Sequence, residues 1–149
     1  MSDLRELYQQ LIIDHSKSPR NCRVIEGADA TAEGHNPLCG DEVTVYVKLD
    51  GDRVSDISFR GNGCAISTAS ASLLTEVLKG KTREEAETMF RGFHDLVTRG
   101  APDGPAPPLG KLQVFAGVSE FPVRVKCATL VWHTLRAALH QIEEPVTTE

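Results

Sequence analysis

The sequence predicts an α+β fold: a small antiparallel sheet of about three strands packed against helices, with a long helix at the C-terminal end. Three observations predict it. Val43, Val45, Val47 and Leu49 alternate with Thr44, Tyr46 and Lys48, Asp50-Gly51-Asp52 marks a tight turn, and Val54, Ile57 and Phe59 return beyond it, which is a hairpin pattern. Two helix-forming stretches, 65–78 and 82–98, follow one another with their own start signals. Apolar residues at helical spacing then run through 123–142.

Taken in order, Leu4, Leu7, Tyr8, Leu11 and Ile12 recur on one helical face and Asp3 with Glu6 makes a capping box, so a first helix runs to about His15, where Ser18-Pro19 stops it. The polar stretch 20–37 has room for one short strand. In the hairpin, the spacing from Val54 to Ile57 breaks the two-residue period, which predicts either a bulge near Ser55-Asp56 or a solvent-facing Val54. The helix over 65–78 starts after Gly61 and Gly63, ends at Gly80, and sets its first turn beside Cys64. Thr82 and Glu85 cap the next one, whose apolar face is Ala86, Met89, Phe90, Phe93 and Val97. Three glycines and four prolines make 100–110 a loop, and 110–118 coils into a short helix. Pro122 stands near the start of the last helix, whose stripe is Val123, Cys127, Leu130, Val131, Leu135, Ala138, Leu139 and Ile142, with Cys127 on the core side. After Pro145 the tail is expected to fray.

A chain of 149 residues suits a single domain, 1–149, large enough to bury a core without disulfide staples. No charged start, apolar run and small-residue cleavage site suggests export, so the four cysteines are expected to be reduced and the protein cytoplasmic. No apolar stretch approaches the roughly 20 residues that cross a bilayer, which argues for a soluble protein with no membrane partner. Sixteen basic against twenty-one acidic side chains, net charge -5, with no basic stripe, argue against nucleic acid.

The chemistry lies in Cys39, Cys64 and Cys127. With Asp41 they offer three sulfurs and a carboxylate, enough for a four-coordinate zinc site if tertiary folding gathers them. Cys39 and Asp41 straddle a glycine, and a two-residue offset in extended chain puts both on one face. Cys64 precedes a helix whose unpaired amides and dipole favour a thiolate. Each residue also has an ordinary reading: Gly40-Asp41 as a plain turn, Cys64 as a buried helix-start residue, Cys127 as core. Arg124, one turn before Cys127, could hold a thiolate or persulfide by charge, or be a solvated arginine at a helix start.

Four stretches carry a resemblance: Asp14-His15-Ser16-Lys17-Ser18-Pro19-Arg20-Asn21, Asn36-Pro37-Leu38-Cys39-Gly40-Asp41, Phe59-Arg60-Gly61-Asn62-Gly63-Cys64-Ala65-Ile66-Ser67 and Val123-Arg124-Val125-Lys126-Cys127-Ala128. Together, over about 4–141, they resemble the U-type iron–sulfur cluster assembly proteins. IscU-type scaffolds in that family have His immediately before the third cysteine, and SufU-type zinc proteins do not. Lys126 stands there in this chain, and the Gly/Pro-rich segment around 100–110 looks like the insertion of the SufU branch. The resemblance implies an IscU-like fold in which Cys39, Asp41, Cys64 and Cys127 bind zinc. It also implies that Cys39 accepts persulfide sulfur from a SufS-type, pyridoxal-phosphate cysteine desulfurase, one of whose histidines takes its place on the metal, and passes the sulfur toward a downstream iron–sulfur scaffold. Cys39 suits the part because it lies on a loop beside glycine, whereas the other two cysteines sit at or in helices.

Cys22 is expected to be a spare surface thiol, and His15 either bonds terminal helix carbonyls or meets a partner. His35 could substitute as a ligand, while His94, His133 and His140 have no ligand pattern around them. The leading reading is a zinc-dependent sulfurtransferase. The alternative is a scaffold building a [2Fe–2S] cluster on the same thiols, against which Lys126 counts as a poor iron ligand. A purely structural zinc domain is a third reading. A zinc hydrolase is disfavoured, since three sulfurs and Asp41 would leave no open water position.

Overall fold

A computed structural model of the chain describes residues 2–37, 40–100, 109–140 and 146–147. Strand alternation builds the sheet. β1 (Ala30–Asn36), β2 (Asp41–Asp50) and β3 (Arg53–Asn62) are antiparallel neighbours in the order β3-β2-β1. Ala32, Val43, Val45, Val47, Ile57 and Phe59 turn to the buried face, while Thr31, Glu33, His35 and Glu42 are exposed. Lys48 pairs with Asp56 and Leu49 with Val54, leaving Ser55 extra on β3. The broken period is therefore a bulge, and Val54 is fully buried.

Val146–Thr147 forms β4, parallel to β1 beside Gly34 and His35, which corrects the expected fraying after Pro145. The pairing occupies part of an otherwise open sheet edge.

Helices cover the buried face. α1 (Ser2–Lys17) packs on α2 (Ala65–Leu78), and α2 on α4 (Pro122–Leu139), which also crosses β1 and β2. α1 begins at Ser2, which puts Asp3 within its first turn, past the N-cap position expected for it. α2 is lined with Ala and Ser, among them Ala69, Ser70, Ala71 and Ser72, all buried; small side chains let neighbouring elements close on it from several sides. α3 (Arg83–Arg99) carries the predicted capping box of Thr82 and Glu85 and ends at Gly100 in the left-handed region, φ 85°. Phe93 from this helix stacks on Trp132 of α4 with ring centroids 4.7 Å apart.

The expected short helix after 110 is a 3-10 helix, Gly110–Glu120. Leu109, Leu112, Phe115 and Val118 recur every third residue and are all buried, the period that a three-residue turn stacks on one face. Most of the preceding Gly/Pro-rich segment, 101–108, lies outside the described residues, as does Ile142.

Two expectations need correction. Val123 is 61% exposed, because the first turn of α4 projects beyond the core that begins at Cys127. His15 neither caps carbonyls nor faces outward. It is 1% exposed, with Nδ1 2.6 Å from Ser72 Oγ and Nε2 3.5 Å from Glu76, so it pins α1 to α2. Among the described residues no helix is long and apolar enough to cross a membrane.

Gly34 packs against α4 so closely that a Cβ there would land on Thr134 Oγ1 and 3.2 Å from Leu130 Cδ1. Gly34→Ala is expected to destabilise the protein by about 1–3 kcal/mol, read from the midpoint of urea unfolding. Burial lowers the affinity of His15 and His133 for protons, helped at His15 by the Arg20 charge and at His133 by His94 and Arg136. The unfolded chain then binds more protons than the folded one just below the ordinary histidine value of about 6.5. The contribution of these two residues is complete above that value and is lost progressively as pH falls below it through their lowered folded-state values. Melts of metal-free protein should show a lower Tm near pH 5.5 than near pH 7.5, with a smaller difference in His133→Gln.

Candidate metal centre

Asp41 is the first residue of β2 and is 1% exposed. The chain reaches it through Gly40, in the left-handed region at φ 73°, whose N–H donates to the Asn36 carbonyl at 2.8 Å and ties the two strand ends together. Glu42 pairs with Asn62, so the start of β2 lies beside the end of β3. A Cβ on Gly61 would strike the Glu42 carbonyl, so only glycine lets β3 pass that close. Three residues after Gly61, Cys64 becomes the N-cap of α2, and its Sγ accepts the Ser67 N–H at 3.4 Å. Cys127 comes from the opposite side, on the second turn of α4, fully buried.

These placements bring one ligand atom each from Asp41, Cys64 and Cys127 within 4.8 Å of one another. Among the described residues no other group of three or more His, Cys, Asp or Glu converges this way. Asp41 is oriented by the Cys64 backbone: its Oδ1 accepts that N–H at 2.9 Å, while its Oδ2 lies 4.0 Å from Cys64 Sγ. The donors suit a tetrahedral zinc ion, whose ligand atoms stand roughly 3.3–3.8 Å apart for bonds of about 2.0–2.3 Å. Cys39 lies outside the described residues.

A cleft of about 950 Å³ opens beside the group, lined by Tyr8, Ile12, Cys64, Ile66, Val118, Phe121 and Arg124 among others. Arg124 and Cys127, predicted to share a face, differ in surroundings: Arg124 is exposed on the cleft wall and Cys127 is sealed in the core. Cys64, partly exposed, is the member of the group that lines the cleft. Cys22 is exposed beside Phe59, as expected for a surface thiol, and does not belong to the ligand group. His35 is on the exposed face of β1. His94 and His133 flank Phe90 between α3 and α4, and His140 pairs with Glu87 at 3.0 Å.

Sequence reasoning missed two supports of the site. Gly63 is required for space, since a Cβ there would lie 2.8 Å from Ser67 Oγ and 2.9 Å from Asp41 Oδ1. The row Val114, Gly117 and Glu120, set by the 3-10 period, forms part of the cleft wall. The three-residue apolar repeat from Leu109 was the available signal.

Fold and site define an α+β domain that gathers thiols and a carboxylate from three separated elements as a candidate metal centre. The chain belongs to the NifU-like N-terminal domain family, whose description matches residues 7–128. It is 42% identical over 142 residues to the zinc-dependent sulfurtransferase SufU of Bacillus subtilis strain 168, covering 95% of each chain. It is also 41% identical over 139 residues to the iron–sulfur cluster assembly scaffold protein IscU of Streptococcus pyogenes serotype M1, covering 93% of this chain and 86% of that one. The crystal structure of FiSufU, a SUF-system protein of the thermophile Fervidobacterium islandicum AW-1, superposes with a TM-score of 0.81 at 39% identity, over 91% of this chain and 98% of that one.

Because any Cβ at residue 63 displaces Asp41 or Ser67, Gly63→Ala is expected to weaken binding of a divalent ion by at least about tenfold while the far-ultraviolet circular dichroism stays that of the wild type. Competition with a chromophoric chelator reads the affinity.

Proposed function

We propose that this chain is a zinc-dependent sulfur acceptor and transferase for iron–sulfur cluster assembly, taking persulfide sulfur from a cysteine desulfurase of the SufS type. The observation that carries the reading is the convergence of Asp41, Cys64 and Cys127, with Cys39 only two residues before Asp41. Covalent connection keeps the Cα atoms of residues 39 and 41 within about 7 Å, so Cys39 is in reach as the fourth ligand. Zinc bound there would keep its cysteine ligands deprotonated at neutral pH without redox chemistry of its own.

In transfer, the Cys39 thiolate attacks the terminal sulfur of the donor's persulfide. The S–S bond of the donor breaks, its cysteine leaves as thiolate, and Cys39 carries the new persulfide with no net oxidation. Cys64 and Cys127 are held by helices, and Asp41 by strand pairing, so Cys39 is the ligand whose departure disturbs the fold least. Arg124 on the cleft wall supplies positive charge for an incoming persulfide anion.

A scaffold that assembles a [2Fe–2S] cluster on the same side chains is the second reading, favoured by the IscU name of the Streptococcus relative. Lys126 directly before Cys127 favours zinc, because an ammonium is no ligand for iron beside thiolates. Metal analysis of purified protein, with transfer of labelled sulfur from a desulfurase and cysteine, separates the two. The expected result is one zinc per chain, with transfer abolished in Cys39→Ala and the fold retained. A stable brown chromophore after anaerobic addition of iron and sulfide, without sulfur on Cys39, would establish the scaffold instead.

A further inference from the structure

Cys64 caps α2 and Ser67 stands at the third helical position after it. In a capping box the side chain at that position reaches back to accept the N-cap amide N–H. α3 does this, where Glu85 takes the Thr82 N–H at 2.9 Å. At α2 the amide N–H of Cys64 goes to Asp41 Oδ1 instead, also at 2.9 Å. A residue far away in sequence plays here the part that Glu85 plays in α3, and the short Ser67 side chain is not engaged with that amide.

That hydroxyl has not moved away from the site. Ser67 is 8% exposed, and its Oγ and Asp41 Oδ1 crowd the same point above Gly63, 2.8 and 2.9 Å from where a Cβ would be. Among the described residues it has no hydrogen-bond partner. Asp41 is 1% exposed, so water has little access to orient its carboxylate. A ligating carboxylate needs such orientation, since ligands held by outer hydrogen bonds bind more tightly than free ones.

We propose that Ser67 is a positioning residue of the metal centre, its unengaged hydroxyl turning to donate its O–H to the adjacent Asp41 carboxylate when an ion binds and so fixing that ligand. The inference rests on the reading of Asp41, Cys64 and Cys127 as ligands of a divalent ion. It makes Asp41 a firmly held oxygen donor beside two helix-held thiols, which retains the ion when Cys39 is occupied with sulfur. Ser67→Ala removes the hydroxyl but keeps the backbone N–H that bonds Cys64 Sγ.

The test uses full-length protein loaded with zinc or with cobalt. Ser67→Ala is expected to release zinc to a chelator about tenfold faster than the wild type, the low end of the range for outer-shell partners, and to shift the visible bands of the cobalt form. The metal-free variant should melt at the wild-type temperature, and Ser67→Thr, which keeps the hydroxyl on Cβ, should restore both metal readouts. Wild-type release and spectrum in Ser67→Ala overturn the inference alone, as does a threonine variant that behaves like alanine. A wild type that binds neither ion overturns the metal reading and the inference together.

Discussion

Asp41 opens β2 and Cys64 follows β3, and the antiparallel register that sets Glu42 against Asn62 brings the two side by side. The hydrogen bond from the Cys64 N–H to Asp41 Oδ1 then joins the start of a strand to the start of a helix. Most of what the site can do depends on this junction. It orients the carboxylate, satisfies an amide that a helix start would otherwise leave open, and holds Cys64 where the first turn of α2 meets the cleft. Two glycines permit it, Gly61 through close passage of the strands and Gly63 through the room it leaves for Ser67 and Asp41.

The third member of the group arrives by a different physical route. Cys127 is carried by α4, whose Leu130, Val131, Trp132 and Leu135 are buried against the sheet and neighbouring helices. Each such side chain contributes roughly 1.5–3 kcal/mol on burial, so the position of Cys127 is fixed by the core before any ion is bound. An ion held between a strand start, a helix cap and a core helix would couple its binding to the packing of all three. The side open to the outside is the cleft, where Cys64 and Arg124 are reached between α1 and the 3-10 helix.

The hairpin, α2 and α3 were legible because their signals are local: alternation, Asp50-Gly51-Asp52, a glycine stop and the box of Thr82 and Glu85. The break between Val54 and Ile57 left two options, a bulge or a solvent-facing Val54, and the strand register decided for the bulge. His15 was misread because its partners Ser72 and Glu76 are remote in sequence, and Val123 because periodicity says which face a residue is on and not where the core ends. β4 was invisible, since two residues carry no period.

By itself the sequence singled out Cys39, Asp41, Cys64 and Cys127 as the candidates for the chemistry, because thiols and a carboxylate beside glycines and helix starts are a pattern written in covalent order. It also determined the helix and strand types, which follow from side-chain period and turn chemistry within a few residues. Tertiary structure alone decided that Asp41, Cys64 and Cys127 meet within 4.8 Å, that Arg124 faces a cleft while Cys127 is sealed, and that Ser67 stands over the junction. Those outcomes depend on strand register and on how deeply α4 sinks into the core, which are sums of contacts between remote residues that no local pattern encodes.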